Sequence, residues 1–263
     1  MKRPLLFLAL LFPVPVQAAW VSVGSFVSTS TKTGSDPFIS TTTAALEAGN
    51  VGICAVAIDN DGTGTDTDDF AGTNTDAAGN TWSVIGENEV DPGSANAGAA
   101  VELTYTLATN TLAAGATIGF QLANSKNSKA AECWEFTVYS GATITVMGTE
   151  QKEDAAGADA GALTIGSLSD SEHLWFRGIA SETGTTETIT ETTSWTKAEN
   201  GTTGSTDNTN MRVYIEFIIA TATTQTSDPA FSGTFDRASS MRALDETGGT
   251  PPAGGSRRVI SIQ

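Results

Sequence analysis

One histidine, two cysteines and thirteen Lys and Arg in 263 residues leave few of the groups from which active sites are usually built. With His173 alone, any Ser-His-Asp or Cys-His arrangement would have to use that residue. No Gly-x-Ser-x-Gly elbow exists, and neither cysteine lies at a strand-to-helix turn that would present a nucleophile. A zinc centre wants three or four His, Cys or carboxylate ligands and finds no such cluster. Cations are outnumbered by 30 Asp and Glu, for a net charge of −17. Affinity for nucleic acid comes from neutralising phosphates, so DNA and RNA are excluded as default partners. Apolar runs are short except for Pro4–Val16, and none reaches the roughly 20 residues of a membrane-spanning helix. No long segment repeats its apolar residues every 3.6 positions. Ala44–Ala48 and Pro229–Phe235 have room for one helical turn each.

What is present is period two. Val101, Leu103, Tyr105 and Leu107 alternate with Glu102, Thr104 and Thr106, and Ile118, Phe120 and Leu122 alternate with Thr117, Gly119 and Gln121. Met211, Val213, Ile215, Phe217 and Ile219 oppose Arg212, Tyr214 and Glu216, and Leu174 and Phe176 oppose His173, Trp175 and Arg177. Each pattern predicts a strand with one buried and one wet face. Val51–Ile58 is apolar on both faces and reads as a central strand. Turn clusters such as Ser35-Asp36-Pro37, Asp76–Asn80, Asp91-Pro92-Gly93, Ala156–Gly161, Gly201–Asp207 and Ser227-Asp228-Pro229 separate the runs. The expected fold is all-β, a single-domain antiparallel β-sandwich or jelly roll. Leu46-Glu-Ala-Gly49 and Leu112-Ala-Ala-Gly115 share one turn chemistry, an anchoring Leu and a Gly at positive φ before the next strand.

The chain divides into residues 1–18, 19–246, 247–258 and 259–263. Met1–Ala18 has the basic start, apolar core and small-residue site of a secretory signal; the alternative is a retained apolar arm that packs in an assembly. The domain of residues 19–246 is followed by a Gly- and Pro-rich linker and a β-prone tail at Val259–Gln263. That tail is either a last edge strand of its own sheet or a strand donated to a neighbouring copy. The mature chain is expected to have no membrane span and to lie outside the cell or on a virion surface.

Three residue sets stand out. Asp59, Asp61, Asp66, Asp68 and Asp69 surround two glycines like a calcium loop, but position twelve is Phe70, where an EF-hand needs Glu. The choice is a calcium site of another kind or a solvated acidic loop. Trp175, Arg177, Arg212 and Tyr214 would form an aromatic and cationic surface for a sugar ring or protein partner if their strands are neighbours; the alternative is cross-strand pairing with Glu135, Glu182 and Glu216. Cys54 and Cys133 permit a disulfide worth about 4 kcal/mol, or remain two buried thiols. Glu132 and Glu135, three apart on one strand, point to opposite faces and cannot act jointly as a glycosidase acid and base. No catalytic residue is assigned.

In order along the chain, Asp76-Ala-Ala-Gly79-Asn80-Thr-Trp82, Leu103-Thr-Tyr105, Leu112-Ala-Ala-Gly115, Lys129-Ala-Ala-Glu-Cys-Trp134-Glu-Phe136, Asn210-Met-Arg212-Val and Ser227-Asp-Pro229 resemble a group of β-sandwich structural proteins encoded in tailed-phage and prophage genomes. The resemblance implies a non-enzymatic virion decoration or fibre-associated component whose partners are copies of itself or other surface proteins. A secreted glycan-binding module and an extracellular filament subunit are the alternatives.

Overall fold

The computed structural model describes residues 19–59, 69–91, 98–183, 187–201 and 210–250, and among them the chain is all strand and connection, without a helix. Ala44–Ala48 holds a bend, a bridge at Leu46 and the start of a turn, and Pro229–Phe235 holds the two-residue strand Ala230–Phe231, so neither segment forms the helical turn it has room for.

One antiparallel sheet is built from β1 (Val21–Thr31), β8 (Lys129–Thr137), β3 (Val51–Asp59), β6 (Ala99–Leu107) and β5 (Ser83–Val90), in that spatial order. A second, also antiparallel, runs β13 (Thr196–Gly201), β14 (Arg212–Thr221), β11 (Glu172–Ser181), β17 (Phe235–Thr247) and β9 (Thr143–Ala158). The two sheets pack face to face. Val51, Ile53, Ala55, Val101, Leu103 and Phe136 of the first interdigitate with Leu174, Phe176, Met211, Val213, Ile215 and Phe217 of the second in the principal core. Val101, Leu103, Leu174, Phe176, Met211, Val213, Ile215 and Phe217 are inward residues that the alternation indicated, and burial of such side chains contributes about 1.5–3 kcal/mol each.

The expected wet faces are not wet. Against the far side of the first sheet lies a three-stranded sheet of β2 (Phe38–Thr41), β7 (Thr117–Phe120) and β4 (Thr75–Asp76). Between them Phe26, Phe38, Val56, Ile58, Trp82, Leu112, Ile118 and Phe120 form a second core. The far side of the second sheet is covered by two ribbons, β10 (Leu163–Ile165) with β15 (Gln225–Ser227) and β12 (Ile189–Thr190) with β16 (Ala230–Phe231). Trp175, Trp195 and Met241 pack under the first ribbon, and Ile179, Tyr214 and Phe231 under the second. The result is four β layers in which β3 is buried at every residue.

Two glycines set the spacing of these layers. A Cβ on Gly178 would stand 2.5 Å from Leu103 and 2.8 Å from Ala55 across the principal core. One on Gly52 would stand 2.8 Å from Leu46 and 3.1 Å from Phe26 in the second core. The paired Leu-x-x-Gly turns also meet: Leu46 and Leu112 exchange reciprocal backbone bonds of 2.9 Å, and Gly49 and Gly115 take φ of 88° and 82°. Edge strands β1, β5 and β9 pair through bulged registers, a device that discourages further strand addition. Ordered pairing runs past Glu246, through Thr247 of β17 to a bridge between Thr250 and Ser140.

Candidate functional site

The far face of the second sheet gathers three arginines, Arg177, Arg212 and Arg237. β11 and β14 are hydrogen-bonded neighbours, so Trp175, Arg177, Arg212 and Tyr214 do share one face as expected. They do not form a surface. Trp175, Arg177 and Tyr214 are fully buried beneath the two ribbons, and Arg212 is mostly covered. A cation in such a place must be paired and hydrogen-bonded, and each one is.

Arg177 donates from Nη1 to the Ser227 carbonyl at 3.0 Å and to its hydroxyl at 3.2 Å. Its Nη2 donates to the Gly161 carbonyl and the Ser239 hydroxyl, both at 2.9 Å. Burial pushes the guanidinium down to about 10, against the opposing pull of Glu216, Glu153 and Asp228. Glu216 sits directly across the ladder from Arg177 and accepts from the Thr192 hydroxyl at 3.1 Å. Desolvation raises its carboxyl. The arginine therefore ties the covering ribbon and β17 to β11.

At the other end of this face Glu187 accepts from the Tyr214 hydroxyl at 2.8 Å and the Ser181 hydroxyl at 3.1 Å, and pairs with Arg237. Arg237 lies 4.1 Å over the Phe231 ring and donates to the Gly233 carbonyl at 2.8 Å. Burial and the neighbouring Glu187 carboxylate both raise the Tyr214 hydroxyl. Sequence reasoning passed over Arg237 and Glu187. An arginine flanked by Phe231, Gly233 and Phe235 in an otherwise small-residue stretch was the available signal.

His173 is buried at the start of β11, 3.6 Å from Asp245 through Nδ1 and 3.3 Å from the Ser171 hydroxyl through Nε2. In outline this is a serine, histidine and aspartate in line. Nε2 also lies 3.0 Å from the Ser169 carbonyl, which can only accept, so Nε2 carries the proton and cannot take one from Ser171. The three residues fasten a loop. They do not constitute a nucleophile with its base.

Of the candidate calcium ligands, Asp61, Asp66 and Asp68 lie outside the described residues. Asp59 and Asp69 are buried, and Asp69 holds the Lys126 ammonium at 2.6 Å. No cluster of three metal-ligating side chains occurs among the described residues. Lys129, beside this pair, donates to the carbonyls of Thr33, Ser35 and Lys126 at 2.8, 3.0 and 2.5 Å, and burial lowers its ammonium from the usual range.

Cys54 and Cys133 face each other across β3 and β8 and are joined as a disulfide inside the second core. Cys133 lies on the face opposite Trp134 and Phe136, and that face is covered by the three-stranded sheet. Glu135, on the same side, accepts from the Glu47 amide at 2.9 Å and the Asn50 side chain at 2.5 Å, whereas Glu132 points the other way and accepts from Ser25 at 2.6 Å. The two carboxylates remain separated by the sheet.

The Asp76-x-x-Gly-Asn-x-Trp motif is a structural clasp. Asp76 accepts from the amides of Ala78 and Asn80, from the Asn80 side chain and from the Trp82 indole, at 2.9, 3.0, 2.9 and 2.9 Å. Asn80 accepts in turn from the amides of Thr109 and Asn110, each at 2.9 Å. One shallow hollow of about 280 Å³ lies between Gly49, Asn50, Val138, Ser140, Gly141 and Thr250, and no ionisable side chain lines it. No family model, curated protein or solved structure matches the chain.

Proposed function

We propose that this domain works by contact and assembly rather than catalysis, as a structural component of an extracellular or virion surface, with a virion decoration or fibre-associated role preferred from the sequence resemblance. The observation that supports the reading is where the reactive groups are. Arg177, Arg237, Glu187, His173, Lys126 and Lys129 are buried, each engaged in holding a layer or a connecting loop in place. The exposed positions of the described residues are chiefly Thr, Ser, Ala, Gly, Asp and Glu, with four exposed large apolar side chains, Val21, Val23, Ile39 and Val84. Such a body is stiff and acidic, suited to display. Placement outside the reducing cytosol is supported by the buried Cys54–Cys133 bond.

A glycan-binding module stacks sugar rings on exposed aromatics. Among the described residues every Trp, Tyr and Phe is buried or half-buried, which favours the assembly reading over that alternative. The test is immunogold labelling of material from the native source. Gold decorating regular particles or fibres is expected. Gold confined to unassembled protein would overturn the proposal.

A further inference from the structure

At the corner where β3 ends and β8 begins, Lys126 Nζ lies 2.6 Å from Asp69 Oδ1, with 2% and 1% of the two side chains exposed. Both partners are held from the backbone. Phe70 and Leu122 form a bridge, and the Ala123 amide donates to the Asp69 carbonyl at 3.0 Å. Lys126 bridges Ser35, and its carbonyl accepts from Lys129 at 2.5 Å. Apolar side chains of Phe38, Ile58, Phe70, Phe120 and Leu122 belong to the core on this side of the sheet. Asp59 brings another buried carboxylate to the same corner, its amide donating to the Ser128 carbonyl at 3.0 Å.

The geometry points to an intramolecular amide bond between Lys126 and Asp69, formed by the folded chain itself. With Nζ 2.6 Å from Oδ1, the carboxyl carbon that it would attack is at most one C–O bond further away, and fixing two reactants in one place replaces an encounter in water by an internal step. Passing the ammonium proton to the carboxylate gives a neutral amine and a neutral acid, and exclusion of water removes the solvation that otherwise favours the charged pair. Nζ then attacks Cγ, the C–N bond forms, and the C–O bond breaks. The departing hydroxyl leaves as water with a proton from the amine. Neither oxidant nor cofactor enters the balance, and the product ties the segment after β3 to the connection before β8, beside the Cys54–Cys133 bond on the same two strands.

Intact-mass measurement of the full chain, denatured and reduced, tests the inference directly. The wild type is expected to be lighter by one water than its own sequence requires, and tryptic digestion should yield a branched peptide joining the Asp69 and Lys126 segments. Lys126→Arg should show its full sequence mass. Asp69→Asn should release ammonia instead and converge on the wild-type mass, because the amide product is the same. A wild-type chain at full mass, with ordinary tryptic cleavage after Lys126, would overturn the inference and leave a buried ion pair. The wild type alone decides between the two, so the outcome stands even where a variant fails to fold.

Discussion

Glu102 shows what burial costs a single carboxyl. It points from β6 into the second core, where the Asn74 amide donates to it at 2.6 Å. Desolvation lifts its carboxyl from 4.5 to about 7; the Asn74 bond opposes this and Glu87 adds to it. The folded protein thus holds this proton more tightly than the unfolded chain. Its contribution is fully present below about pH 4.5 and is lost as pH rises through about 7. Glu102→Gln keeps an acceptor for Asn74 and removes the charge, so urea unfolding should show the variant more stable at about pH 8, by up to about 3 kcal/mol, with a flatter profile between pH 4.5 and 7. Asp76 is a carboxylate surrounded by donors. Asp76→Ala strands the buried Trp82 indole along with the turn amides and should lower stability by about 3 kcal/mol in the same measurement.

At the scale of the element, close approach of layers depends on missing side chains. Gly178→Ala places a methyl group within 2.5 Å of Leu103 and 2.8 Å of Ala55, two residues fixed in a different sheet. Overpacking of this kind should cost about 2 kcal/mol, read as a lower thermal midpoint, with far-UV circular dichroism still that of an all-β protein. The strands that sequence made legible are β6, β11 and β14, with unbroken alternation, and β3, a continuous apolar run. Those it did not are β1 and β9, which are interrupted, and β17, whose two faces both mix polar with apolar residues. β17 runs unbroken against β11, but with Ala238, Ser240, Arg242 and Leu244 on one face and Arg237, Ser239, Met241 and Ala243 on the other, no apolar alternation shows. β9 extends to Ala158 and runs through the expected turn at Ala156–Gly161, with Gly148 and Gly157 at φ of 67° and 60° along an edge. β1 is an edge of Ser, Thr and Val with two shifts of its own. The buried cations escaped for a related reason. Alternation tells which residues share a face, as it did for Trp175, Arg177, Arg212 and Tyr214, but nothing local says that ribbons from Leu163–Ile165 and Ile189–Thr190 will return to cover that face.

For the whole molecule, the account rests on four layers in which the first five-stranded sheet is interior on both faces. Polar residues on its far side, Glu102, Glu135 and the Cys54–Cys133 bond among them, then serve as connectors to the three-stranded layer. Arg177 and Arg237 do the same for the layer beyond the second sheet. A domain held together in this way places Arg177, Arg237, Lys126 and Lys129 inside and offers its surroundings an acidic, hydroxyl-rich surface, in keeping with the proposed role in assembly. Amide hydrogen exchange resolved by mass spectrometry tests the layering most directly, because opening free energies follow local burial and hydrogen bonding. Peptides from Val51–Asp59 should exchange slowest in the molecule, while those from Leu163–Ile165 and Ile189–Thr190 open first. Exchange of Val51–Asp59 as fast as that of the covering ribbons would contradict a central sheet buried on both faces.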